Sequence, residues 1–170
     1  MINRSARAGG VFLGAALLAG CTAGPDPVVT PAPPPPPAAC MLDLPTFAAT
    51  TGLTWTPDAS TASDTRCVYD PTTHSIPADG PAFVTVDVAA MPGTDPAAEL
   101  ATVAELCAAG SRAEVTTGDG GFVCRFQGGS VFAAMARRGQ VVTLAASAVP
   151  PGTTAAQLVV AFDQQLTALG

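Results

Sequence analysis

The chain has 170 residues, with seven arginines, no lysine and 13 acidic residues, for a formal net charge of −6. All 13 acids lie beyond residue 20, where only five arginines remain, so that portion carries −8 and has no electrostatic basis for binding nucleic acid. The length suits one ordinary domain with a single core, and no internal repeat is visible.

At the N-terminus, Arg4 and Arg7 precede a mostly apolar run over 11–18 and the small pair Ala19-Gly20. This is the three-part layout of a secretory signal peptide, and the run is shorter than the roughly 20 apolar residues a membrane-spanning helix needs. Leu18-Ala19-Gly20-Cys21 resembles the bacterial lipobox. The resemblance implies a signal peptide over 1–20, fatty acylation of Cys21 and a mature chain that starts at that cysteine, held on the extracytoplasmic face of the cell membrane. Stable attachment takes two acyl chains, or one chain with a basic patch. The acidic mature chain supplies no such patch, so the acyl groups must hold it alone.

Residues 22–39, "TAGPDPVVTPAPPPPPAA", hold eight prolines and no aromatic residue. Proline fixes φ and lacks an amide donor, so this stretch samples extended polyproline II, and at about 3.1 Å per residue it reaches on the order of 55 Å. Together with Cys21 it reads as a semi-rigid tether over 21–39, in preference to a PxxP recognition ligand.

The domain then runs over 40–170 and carries Cys40, Cys67, Cys107 and Cys124. An even number of cysteines in an exported chain predicts two disulfides. Three pairings are open, and Cys40–Cys67 with Cys107–Cys124 is favoured because each joins neighbouring segments. There is no C-x-x-C, and the single histidine, His74, is isolated, so no metal or cofactor is expected.

A short helix is expected over 44–51, with Asp43 as cap, Pro45 in the first turn and Gly52 as stop. A polar loop leads to a strand over 65–70. The next, over 82–88, alternates Val84, Val86 and Val88 toward the core with Phe83, Thr85 and Asp87 away from it. A second helix is expected over 95–110, started by Asp95 and Pro96 and bearing the stripe Leu100, Val103 and Cys107. Strands over 122–127, 130–137 and 140–147, with a further one over 113–117, are separated by short glycine-bearing turns, which suits an antiparallel meander. A final helix over 154–168 starts at a Thr154/Gln157 capping box. The order predicts an α+β fold: a twisted antiparallel sheet with helices packed mainly on one face.

With the lipobox, the proline-rich stalk, a cysteine just before a short helix, "CVYD" in a strand and "GFVCR" ahead of two more strands and a terminal helix, the chain resembles small disulfide-bonded lipoproteins of actinobacteria that carry a domain of unknown function. That resemblance implies a location and a fold, and brings no catalytic residues with it.

No catalytic motif stands out. Ser130 follows two glycines, but Phe132 fills the place of the closing glycine in G-x-S-x-G, and the setting is strand-turn-strand. "GDGG" at 118–121 precedes a strand, whereas a phosphate cradle precedes a helix. Arg125 reads as a solvated sheet-face residue and Trp55 as a core cover. The chain is therefore expected to be no enzyme. It reads as a membrane-anchored binding or accessory module for an envelope protein or an apolar ligand. The alternatives are an envelope hydrolase with a dispersed site involving His74, and an extracytoplasmic sensor subunit.

Overall fold

The structure, a computed structural model, describes residues 34–72, 82–126 and 129–170. The leader, Cys21, most of the tether and His74 lie outside the described residues. Pro35–Gly170 forms one compact unit.

Helix α1 spans Leu44–Thr51, capped as its sequence dictates: Asp43 accepts from the Thr46 N–H at 3.3 Å and from the Thr46 hydroxyl at 2.7 Å, and Gly52 closes the helix at φ 74°. Three strands follow, β1 (Trp55–Pro57), β2 (Arg66–Pro71) and β3 (Val84–Ala90). Strand β1 falls where a loop was expected. It is a three-residue edge strand, and Pro57 in it has no N–H to offer a ladder, so its sequence carries no strand pattern.

Helix α2, Pro96–Ala104, begins on Asp95, whose carboxylate accepts from the N–H groups of Ala97 and Ala98 at 3.0 and 3.3 Å. Strands β4 (Ala113–Val115), β5 (Gly121–Arg125), β6 (Val131–Arg137) and β7 (Gln140–Ala146) form a second meander. Helix α3, Ala155–Leu169, starts on Thr154, which accepts from the Gln157 N–H at 3.2 Å. Its last carbonyls are met by Thr117, whose hydroxyl donates to Leu166 at 2.9 Å, and by the Arg137 guanidinium, which donates to Leu169 at 2.6 Å.

The seven strands form one antiparallel sheet in the order β1-β2-β3-β7-β6-β5-β4. The two meanders meet along β3 and β7, paired from Val84↔Ala146 to Ala90↔Gln140. The valines of β3 face the larger core, as their alternation predicts, where Met135 and Leu144 join Phe47 of α1 and Leu158, Phe162 and Leu166 of α3. Phe47 stacks on Phe162 with ring centroids 6.0 Å apart. The smaller core lies on the other face, where Leu100 of α2 packs with Phe122, Cys124, Phe132, Ala134 and Ala136. The fold is α+β, with α1 and α3 on one face and α2 on the other. Strand β6 is apolar on both sides and buried along almost its whole length, which is why "VFAAMA" shows no alternation.

Cys40 is bonded to Cys67, tying the entry of α1 to β2, and Cys107 to Cys124, tying the exit of α2 to β5. Helix α2 stops earlier than its periodicity suggests. After Ala104 the chain tightens into i→i+3 bonds, the last from the Cys107 N–H to the Ala104 carbonyl at 3.0 Å, and Ala108 then donates to Arg125 at 2.7 Å. Cys107 forms a β-bridge with Phe126. A helix continued to 110 would carry Cys107 away from the sheet that holds its sulfur partner.

Candidate functional site

Helix α2 packs on β6, toward one end of its face of the sheet. Toward the other end, on β2, β3 and β7, the same face presents Arg66, Asp87, Thr85, Thr143 and Ala145, all half-buried or exposed. Strand pairing sets Arg66 opposite Asp87, and Thr85 opposite Ala145, which in turn faces Phe132.

Here lies a groove of about 460 Å³, within the roughly 300 to 1,000 Å³ of ordinary ligand sites. Its floor is Thr85 with Ala145, while Ala146 beside them packs into the larger core; Phe83, just ahead of β3, and Phe126, just after β5, line it as aromatic residues. Ser130, Ser147 and Arg66 complete the lining.

The backbone at this end is pinned. Phe83 donates its N–H to the Ser147 hydroxyl at 2.9 Å, and Ser147 returns its N–H to the Phe83 carbonyl at 2.9 Å. The other hydroxyls also turn toward the main chain: Thr85 donates to the Ala145 carbonyl at 3.3 Å, and Ser130 donates to the Ala146 carbonyl. The Ala145 methyl and the side chains of Phe83 and Phe126 supply the apolar part of the lining.

From Phe126 an aromatic ladder runs under α2. Phe126 and Phe132 have centroids 6.1 Å apart, as do Phe132 and Phe122, and the Arg112 guanidinium sits 4.7 Å over the Phe122 ring.

The charged end is Arg66. Its Nε donates to Asp87 Oδ1 at 2.7 Å and its Nη2 to Oδ2 at 3.3 Å, with 59% of the Arg66 side chain exposed. The hydrogen bonds it donates to Asp87, and then the carboxylate's charge, hold the guanidinium above its already high ordinary pKa. Among the described residues, hollows of about 460 and 510 Å³ also lie beside Arg137 and beside the C-terminal end of α3, with no aromatic side chain among their described lining.

The sequence candidates fall as follows. Ser130 does line the groove, in a strand-turn-strand setting with its hydroxyl committed to a carbonyl. "GDGG" makes a turn with φ 32° at Gly118 and 111° at Gly120, and leads into β5. Trp55 is 2% exposed, packed on Phe47 and donating its Nε1–H to the Thr51 hydroxyl at 2.9 Å, so it is core. Arg125 is exposed and is not part of the groove lining. Among the described residues no group of three or more His, Cys, Asp or Glu side chains is placed to hold a metal ion, and no helix is long and apolar enough to cross a membrane.

Sequence reasoning did not single out Arg66, Phe83 or Phe126 as site residues. One signal was available: Phe83 is a large aromatic on the side of its strand that points away from the valine core. No family model matches the chain, and neither a curated protein nor a solved structure matches it.

Proposed function

We propose that this chain is a cell-envelope lipoprotein, anchored through acylated Cys21 on the extracytoplasmic face of the membrane, whose domain acts as a non-catalytic binding module. The groove between Phe83 and Phe126 is the binding site, and it takes an apolar ligand or an apolar segment of an envelope protein. The observation that carries this reading is the groove itself: about 460 Å³ with two aromatic side chains in its lining, its hydroxyls turned onto the backbone. The charged leader, its short apolar run, the small pair before Cys21 and the proline-rich stretch support the anchored setting, and the two disulfides suit an oxidising compartment.

Anchoring is tested by labelling cells with a fatty acid and comparing the parent with Cys21→Ala, where only the parent takes up label; equal incorporation overturns it. Binding is tested by placing a photo-crosslinking amino acid at position 83 in the groove, or at Val160, which is 49% exposed on α3. Adducts formed in intact cells from position 83 and not from 160 support the groove. The same adducts from both positions, or none from 83, overturn it.

A further inference from the structure

We infer that the groove is built for a single-chain anionic amphiphile of the short fatty-acid type, with its carboxylate at Arg66 and its alkyl tail along Phe83 and Phe126. This rests on the groove being the binding site proposed above, and adds the class of ligand.

The groove has two chemically different ends. Phe83, Phe126 and the Ala145 methyl offer apolar contact, and the Thr85 and Ser130 hydroxyls already donate to carbonyls, so a methylene chain lying over them strands neither proton. Among the described residues Arg66 is the one charged side chain in the lining, with the Asp87 carboxylate bonded to it at 2.7 Å. A guanidinium has five N–H donors in a planar fork, and Asp87 takes two of them. That side-on pairing fixes the plane of the group and keeps it protonated, with the rest of the fork available to a carboxylate. A neutral head accepts from those remaining donors without the charge that strengthens a carboxylate's bonds. The volume, toward the lower end of ligand sites, suits one short chain better than a two-chain lipid.

The probes are decanoate and decanol, below their aggregation limits, titrated calorimetrically into the full chain carrying Cys21→Ala so that no attached acyl group competes. Decanoate is expected to bind about tenfold more tightly than decanol, since a charge-assisted contact at a partly exposed site is of that order. Arg66→Gln should erase that preference by weakening decanoate about tenfold, Arg66→Lys should restore part of it, and Phe83→Ala should weaken both ligands. Equal binding of the two probes, or a preference that survives Arg66→Gln, overturns the anionic class and leaves the apolar groove standing. Binding of neither probe overturns the amphiphile, and the groove itself then stands or falls on the crosslinks from position 83. Arg66-dependent sedimentation with anionic phospholipid vesicles, without decanoate binding, assigns the contact to a bilayer surface and overturns the single-chain ligand.

Discussion

Gln165, on the buried face of α3, spends both ends of its amide on the backbone of Asp43: Oε1 accepts the Asp43 N–H at 2.8 Å, and Nε2 donates to the Asp43 carbonyl at 3.3 Å. The side chain is 1% exposed and spans 122 residues of sequence, so it fixes the entry of α1 against the last helix. Gln165→Leu keeps the volume and removes both partners. It should lower stability by about 2 kcal/mol, read from the midpoint of urea unfolding, whereas Gln164→Leu, on an exposed position next to it, should change the midpoint far less.

The single tryptophan reports on a second buried bond. Thr51→Val leaves the Trp55 Nε1–H without its 2.9 Å acceptor inside the core. The expected loss is about 1 to 3 kcal/mol, followed through the emission of Trp55 itself; an unchanged midpoint would show that the bond contributes nothing.

The only tyrosine gives a pH prediction. Tyr69 is 1% exposed, and burial pushes its phenol above the ordinary 10.0, against the smaller opposing pull of the Leu42 N–H. Above about pH 10 the unfolded chain therefore releases the phenolic proton before the folded one does, and stability falls with rising pH. The contribution is complete below pH 10 and is lost as pH passes through the raised folded value. Tyr69→Phe should flatten this alkaline decline, and an absorbance titration of the phenol should show ionisation delayed until unfolding.

The β6–β7 hairpin turns through Arg138 at φ 49° and Gly139 at φ 75°, between the paired Arg137 and Gln140. Two positive φ values make this a primed turn, which asparagine followed by glycine adopts more readily than arginine does. Arg138→Asn should raise stability by about 0.5 to 1 kcal/mol, seen as a higher urea midpoint at unchanged slope.

The disulfides close loops with sequence separations of 27 and 17. In the chain-entropy account, Cys40→Ala with Cys67→Ala should cost about 3.5 kcal/mol, and Cys107→Ala with Cys124→Ala about 3 kcal/mol. Denaturant unfolding of each double variant, compared with the oxidised parent, measures both.

Local chemistry made α1 readable to the residue, because an aspartate cap, an early proline and a terminal glycine all act within one turn of the helix ends. The alternation in β3 was equally plain, since one of its faces meets the core and the other does not. Helix α2 over-ran its real end because the apolar stripe continues to Cys107, whereas the sulfur bond and the bridge to Phe126 are long-range ties that periodicity does not contain. The groove was hidden for the same reason. Arg66, Phe83, Phe126 and Ser147 are ordinary residues where they stand in the chain, and only the strand order brings them to one end of one face.

The seam between β3 and β7 joins Val84 to Ala146 and Ala90 to Gln140, so the two innermost strands come from distant parts of the polypeptide. As the chain is made from its N-terminus, all four bridging sulfurs emerge ahead of β7, so both bonds can close while the middle of the sheet still gapes. A nascent chain halted short of residue 140 would hold both disulfides and yet consist of two unjoined wings.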